Sequence, residues 1–206
     1  VDAITLGDHV WDQKNFENEI DKLDFICRPA NLPESNPGKD HLILNQGNVR
    51  VGLFTVLGRS FMGPKVSCPF ATADRIVNDL KKQNIQQIIC EIHAETTSEK
   101  ESIGWHLDGR VSLVFGTHTH VPTADGRILP QGTAYQTDLG MTGPRESVLG
   151  RDIDACVGRF LDGMPRKCPV AEKDVGMQGC MIEVSNDSPR KTIKYQRIEF
   201  REDAAG

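Results

Sequence analysis

The sequence lacks three features that would assign it to a functional class at once. No apolar run approaches the roughly 20 residues that a membrane-spanning helix needs. Positive charge is not in excess, because 24 Lys and Arg stand against 29 Asp and Glu and the net charge is -5. The basic footprint of a nucleic-acid-binding protein is therefore missing. These absences predict a soluble globular protein without membrane or nucleic-acid partners, and we expect it in the cytoplasm.

Closely spaced cysteines are missing as well. The chain has six cysteines, but none forms the Cys-x-x-Cys pair that is typical of structural zinc sites. Cys90 and Cys180 lie inside apolar runs, where a free cysteine acts as a small hydrophobic residue. We therefore expect six reduced thiols.

Apolar patterning predicts strands and helices that alternate along most of the 206 residues, a length typical of one domain. Beyond Gly126 the chain becomes rich in strands. This order predicts an α/β fold with a mixed sheet. The predicted strands are 2–6, 24–27, 41–44, 49–57, 85–92, 110–116, 127–129, 133–137, 180–185 and 191–200, and the predicted helices are 14–23, 70–83, 98–107 and 151–161.

Four of the six histidines follow directly on predicted strands. The first strand ends in Gly-Asp-His, with Asp8 and His9, and a glycine there lets the chain turn at the sheet edge. A later strand ends in His93, and another is followed by His118 and His120. Ligands bind where the carboxyl ends of strands meet in open α/β sheets. Neighbouring strands would therefore bring these five residues into one cleft.

The residue types at these three strand ends fit a metal centre. Imidazole is a common ligand of Zn and Fe, and carboxylate adds oxygen ligation. In extended backbone His118 and His120 would point to the same side, about 6–7 Å apart at their Cα atoms. They could then serve one ion, or one each of two ions about 3.5–4 Å apart. A lone strand-end histidine is more often structural than a ligand, but three such ends together favour a metal-dependent hydrolase. His9 is the candidate proton donor to a leaving group.

Five longer segments carry a pattern that covers nearly the whole chain: "GDHVWD", "RPANLPESNPGK", "HAETTSEK", "DGRVSLVFGTHTHVPTAD" and "ILPQGTAYQTDLGMTGP". They closely resemble the YmdB-like family of calcineurin-like metallophosphoesterases. The resemblance implies a layered α/β sandwich with mixed sheets, formed by one metallophosphoesterase domain over 1–206 in which inserted loops could form a small cap. It also implies a phosphodiesterase that hydrolyses small cyclic nucleotides at a dinuclear metal centre.

The same resemblance implies a role for each residue at the strand ends. Asp8 stands where the family has a metal-ligand Asn, and His9 matches the catalytic His. His93, His118 and His120 match metal ligands, with His120 on the partner ion. The implied cofactors are two divalent metal ions, Fe, Mn or Zn, and the implied substrate is a small phosphodiester or nucleotide. A homo-oligomer is left open.

Residues outside the strand ends are harder to interpret. Glu95 either orients a ligand histidine from behind or is a simple surface acid. Arg28 and Arg59 lie in long loops from which they could contact a phosphate. The segment from Met141 to Pro144 reads either as a tight turn near the site or as a connecting loop.

Two departures from the family pattern matter. Asp8 in place of Asn adds a negative charge, which should tighten metal binding and weaken the binding of an anionic substrate. The chain also starts at Val1, directly before a predicted strand, and the first β-α-β portion of the family, with further metal ligands, has no counterpart. We therefore expect an N-terminally truncated chain.

A catalytically weak metallophosphoesterase fold that binds or regulates is the alternative, and a mononuclear amide hydrolase is a third hypothesis.

Overall fold

Eleven strands and three helices make up the part of the chain that the computed structural model describes, residues 1–202. Residues 203–206 of the predicted domain lie outside it. The strands are β1 (Ile4–Thr5), β2 (Ile26–Cys27), β3 (Leu42–Gln46), β4 (Val49–Leu57), β5 (Gln87–His93), β6 (Leu113–Thr117), β7 (Arg127–Ile128), β8 (Ala134–Gln136), β9 (Gly143–Pro144), β10 (Val175–Val184) and β11 (Thr192–Arg201). The helices are α1 (Pro69–Lys82), α2 (Thr97–Leu107) and α3 (Ile153–Asp162).

A six-stranded mixed sheet lies at the centre, with the strand order β3-β4-β5-β6-β8-β7. Strands β4, β5, β6 and β8 run parallel, and β3 and β7 pair antiparallel at the two edges. The predicted α/β fold with a mixed sheet is confirmed. Two smaller sheets flank it, a parallel pair of β1 and β2 and an antiparallel set of β9, β10 and β11.

Helices α1 and α2 pack against the central sheet and enclose the main core. Helix α1 begins with Pro69, whose fixed φ suits the first helical position. Its apolar residues recur at helical spacing, so that Ile76, Val77 and Leu80 are buried on one face. No helix within residues 1–202 has the length and apolar character needed to cross a membrane.

The predicted helix at 14–23 is wrong. The structure has two short 3₁₀ turns there, Phe16–Asn18 and Ile20–Lys22. Asn15 takes the left-handed conformation with φ 66°, and the carboxylate of Asp21 accepts a hydrogen bond from the backbone N–H of Gly38 at 2.7 Å. The segment is therefore held against the following loop, and Ile20 is buried in a small satellite cluster instead of on a helix face.

The parallel strands β4, β5 and β6 all end on the same side of the central sheet, and this row of carboxyl ends is the shared edge at which the candidate site lies. Leu57, His93 and Thr117 lie side by side in the register of β4, β5 and β6. Strand β1 continues from Ile4 towards the same edge, where the backbone N–H of Leu6 bonds to the carbonyl oxygen of Cys27 at 3.1 Å. This shared edge brings together segments that are far apart in the sequence.

Candidate metal centre

Asp8, His93 and His118 converge at the shared edge of the sheet. Asp8 Oδ1 lies 2.8 Å from His93 Nε2 and 3.7 Å from His118 Nδ1, and the two imidazole nitrogens are 3.2 Å apart. Donor atoms around one tetrahedral ion lie about 3.4 Å apart when each bond is about 2.0–2.1 Å. One carboxylate and two imidazoles at these separations fit a divalent transition-metal ion.

His9 lies at the open side of this group. Its side chain is 80% exposed, and its Nε2 is 3.8 Å from Asp8 Oδ1. Its other ring nitrogen, Nδ1, is 2.7 Å from Asp12 Oδ2. The pairing with Asp12 directs Nε2 of His9 towards the cluster and towards solvent.

His120 does not join the group formed by Asp8, His93 and His118. It is exposed, and it lines a separate cavity beside the loop. The extended backbone predicted for the His-Thr-His segment is wrong, because His118 and His120 have φ angles of 92° and 66°. Left-handed backbone is uncommon for histidine and clusters at functional sites. It turns the two rings away from the common side that an extended segment would give them.

Gly7 is needed because the ring of His93 lies directly against it. A Cβ atom at position 7 would stand 2.3 Å from His93 Cε1, far inside van der Waals contact. The chain does turn after Gly7, whose carbonyl oxygen accepts a hydrogen bond from the N–H of Val10 at 3.2 Å. The glycine of Gly-Asp-His therefore serves the close approach of the histidine as well as the turn.

A chain of hydrogen bonds behind His93 determines which of its nitrogens faces the cluster. The Thr117 hydroxyl donates to Glu91 Oε1 at 2.5 Å and therefore accepts from His93 Nδ1 at 2.8 Å. The Thr55 hydroxyl donates to Glu91 Oε2 at 2.8 Å. Because Nδ1 carries a proton, Nε2 is the nitrogen that faces Asp8: it donates to Asp8 Oδ1 at 2.8 Å when the ring is protonated, and it offers a lone pair to a metal ion when the ring is neutral. Such outer contacts commonly orient metal-binding histidines.

The charges of the cluster favour ionised carboxylates. Burial raises the pKa of Glu91, but the nearby His93 ring and the hydrogen bonds from threonine hydroxyls outweigh burial, so this pKa is lowered. Burial likewise raises the pKa of Asp8, and the hydrogen bond and charge of His93 lower it below its usual value. Burial lowers the pKa of His93, but Glu91 and Asp8 raise it overall. Two negative groups thus lie around one imidazole.

The second imidazole has a different environment. Burial and the positive charge of His93 lower the pKa of His118, which favours a neutral ring with a free lone pair. Glu95 Oε2 is 3.1 Å from His118 Nε2, on the side of the ring away from Asp8, and the Glu95 side chain is half-exposed. The nitrogen of His118 that faces the cluster is Nδ1, which lies 3.2 Å from His93 Nε2.

A buried ion pair holds the loop between the two left-handed histidines. The Lys100 ammonium, on α2, donates to Asp138 Oδ2 at 2.9 Å, and both side chains are almost fully buried. Thr119 donates to the same oxygen through its hydroxyl at 2.7 Å and through its backbone N–H at 3.2 Å. The peptide that links His118 to His120 is therefore tied to the core.

Sequence reasoning missed Glu91, Lys100 and Asp138. Glu91 left a signal, since it is a single acid within the apolar run of β5, and buried carboxylates are rare without a partner. Lys100 left none, because it lies among charged residues of α2 and looks solvated. The Arg28 guanidinium is buried and donates to the carbonyl oxygens of Pro29 and Pro37, so part of its donor capacity is used within the fold.

Comparison with known proteins agrees with this geometry. A family model described as "YmdB-like protein" matches residues 1–198. The chain belongs to the YmdB-like family. The predicted resemblance and the predicted class, a hydrolase of the metallophosphoesterase type, are confirmed.

Three relatives illustrate how close the match is. A 2′,3′-cyclic-nucleotide 2′-phosphodiesterase of Bacillus subtilis (strain 168) is 42% identical over 202 residues, which cover 98% of this chain and 75% of the relative. A crystal structure of a hypothetical protein from Thermus thermophilus has a TM-score of 0.88 at 36% identity, covering 98% of this chain and 77% of that one. A phosphatase structure from Mycoplasma pneumoniae has a TM-score of 0.88 at 34% identity, covering 98% and 73%.

Proposed function

We propose that this YmdB-like protein is a metal-dependent phosphodiesterase that hydrolyses 2′,3′-cyclic nucleotides. The observation that carries the proposal is the convergence of Asp8, His93 and His118, whose donor atoms lie within 3.7 Å of one another. The name of the Bacillus subtilis relative supports the substrate class. The net charge of -5 does not oppose an anionic substrate, since bound cations rather than a basic patch would hold the phosphate.

In this proposal Asp8, His93 and His118 hold one ion of a dinuclear centre, and His120 contributes to the second. Fe, Mn and Zn suit these ligands. When bound, such ions polarise the phosphoryl group and lower the pKa of water so that it can attack in line. Glu95 lies against the outer side of the His118 ring, with Oε2 3.1 Å from Nε2, and would help to orient that ring.

His9 is the proposed general acid. The pairing of its Nδ1 with Asp12 leaves Nε2 to carry a proton towards the oxygen of the departing ribose hydroxyl. The exposure of the ring leaves room for substrate between His9 and the ligands. Asp8 Oδ1 lies 3.8 Å from this nitrogen, so the proposed acid adjoins the proposed metal ligand.

The test combines metal analysis with turnover of 2′,3′-cyclic AMP. We expect bound Mn, Fe or Zn in the purified protein, and a His93→Gln variant should lose both metal and activity. His9→Gln should keep the metal but lower kcat by about 10²–10⁴-fold, as the loss of an acid–base catalyst does. His106→Gln is a matched control, because His106 pairs with Asp74 at 2.8 Å on an exposed surface away from the centre.

The same experiment distinguishes the binding or regulatory alternative. Asp8→Asn removes the additional negative charge and restores the residue type that the family resemblance implies. If the wild type binds metal but does not hydrolyse 2′,3′-cyclic AMP, whereas the Asp8→Asn variant does, the wild type is a binding or regulatory protein. Absence of both metal binding and turnover with added Mn or Fe would refute the proposal.

A further inference from the structure

A cavity of about 250 Å³ adjoins the exposed ring of His120. Its wall includes His120 itself, the apolar side chains of Val121, Pro122 and Leu149, and the amide of Gln178. None of the residues that hold the first proposed ion lines it. The cavity is therefore distinct from the group formed by Asp8, His93 and His118, and it is connected to that group through His120, two residues along the chain from His118.

The polar side of the cavity has a fixed orientation. The backbone N–H of Met141 donates to Gln178 Oε1 at 3.1 Å, so the carbonyl side of the amide is occupied. Gly140 makes this contact sterically possible, because a Cβ there would lie 2.1 Å from the same oxygen, and its φ of 91° suits glycine. The two N–H donors on Gln178 Nε2 are thereby left for another acceptor.

The apolar side of the cavity also depends on close contacts at glycines and on left-handed backbone. The terminal methyl of Met141 lies against Gly143 and Gly150, where a Cβ at either position would stand 3.3 Å from it. Leu149 takes the left-handed conformation with φ 49°, and its side chain is 51% exposed. A bulky residue in that region is a strained outlier, and such strain concentrates at ligand-binding positions. The Met141–Pro144 segment thus forms part of a cavity rather than a plain connection.

On the basis of the proposed function, we propose that this cavity binds the nucleobase of the nucleotide substrate. Apolar surfaces from Val121, Pro122 and Leu149 suit the two faces of a planar ring, and Gln178 Nε2 suits a ring nitrogen or carbonyl oxygen at its edge. The volume is below the 300–1,000 Å³ range of sites for larger ligands, which suits one base. Arg145 also lines the cavity, and Glu199 is the ion-pair partner of its guanidinium.

The test compares 2′,3′-cyclic AMP with the 2′,3′-cyclic phosphate of methyl riboside, which has the same ester but no base. Leu149→Ala should lower the ratio of the two kcat/KM values by about 10-fold, as loss of apolar contact in a specificity pocket does. Leu161→Ala is the matched control, because Leu161 is 82% exposed and does not line the cavity. An unchanged ratio in Leu149→Ala would overturn the inference.

A second variant tests the polar edge. Gln178→Glu keeps an oxygen for the Met141 N–H but removes both amide donors. Its added charge affects both substrates, so the ratio of their kcat/KM values isolates the loss at the base. We expect that ratio to fall as it does for Leu149→Ala, and an unaltered ratio would remove Gln178 from the proposal.

A binding measurement tests the base site even if the protein does not hydrolyse cyclic nucleotides. If the wild type hydrolyses neither ester, adenosine and methyl riboside are titrated by calorimetry into wild type, Leu149→Ala and Leu161→Ala. Binding of adenosine that is weakened only in Leu149→Ala would support the base site without turnover. No adenosine binding, or equal binding by all three proteins, would refute it.

Discussion

Glu91 and Asp138 are both buried carboxylates behind the candidate metal centre, but different groups neutralise their charges. Asp138 meets the Lys100 ammonium at 2.9 Å and also accepts hydrogen bonds from Thr119. Glu91 accepts from the hydroxyls of Thr55 and Thr117. Within residues 1–202 its ion-pair partner is His93, at 3.8 Å.

This difference separates support of the fold from support of the centre. The charge of Asp138 is neutralised inside the protein, so that network is complete without any ligand. Glu91 and Asp8 are two negative groups on either side of His93, and nitrogens of His93 and His118 face the candidate metal position. Buried negative charge without a permanent cation is costly and favours the binding of a metal ion. We therefore expect substitutions at Asp138 to act on stability and those at Glu91 to act on metal affinity.

The largest effect is expected from Asp138→Asn. The change leaves the Lys100 ammonium buried and unpaired, and breaking such a pair lowers the free energy of unfolding by about 3–5 kcal/mol. Urea denaturation followed by circular dichroism measures the loss. The double variant Lys100→Met/Asp138→Asn should recover part of the stability. If Asp138→Asn lowers the free energy of unfolding by less than about 1 kcal/mol, the Lys100–Asp138 pair does not support the fold in this way.

Glu91→Gln should act mainly on the metal. The amide keeps the size of the side chain but removes the negative charge behind His93, and loss of an outer partner typically lowers metal affinity by about 10–100-fold. Competition with a fluorescent chelator gives the affinity. Glu183→Gln is the control, because Glu183 forms an exposed ion pair with Lys194. Equal metal affinity in Glu91→Gln and wild type would show that Glu91 only supports the fold.

The smallest effect is expected at Thr119. Thr119→Val keeps the shape of the side chain but removes the hydroxyl bonded to Asp138, which should lower the free energy of unfolding by about 1 kcal/mol. Thr119→Ser keeps the hydroxyl and should remain closer to wild type. Urea denaturation of both variants separates the hydrogen bond from the packing. Equal losses in the two variants would exclude the hydroxyl as the cause.

An element could be predicted from the sequence where the spacing of its apolar residues matches the face that it buries. Helix α1 and the parallel strands β4, β5 and β6 were predicted because long periodic or continuous apolar runs are buried on matching faces. The 14–23 segment failed because its apolar residues pack into a local cluster instead of along a helix face.

The candidate site was predictable to a similar extent. Asp8, His93 and His118 could be predicted to meet because all three follow strand ends, and parallel strands share one edge. The separation of His120 from them could not, because it depends on left-handed backbone at two non-glycine residues. The Lys100–Asp138 pair depends on contacts across 38 residues, which local pattern does not encode.

The contact between Gly7 and the His93 ring has a consequence for how the sequence can vary. The two positions are 86 residues apart, yet the ring at position 93 limits the size of the residue at position 7, because the ring fills the space of the absent Cβ. Any side chain at position 7 must be accompanied by loss or movement of the imidazole at position 93. In an alignment of relatives, every sequence that keeps histidine at position 93 should therefore keep glycine at position 7.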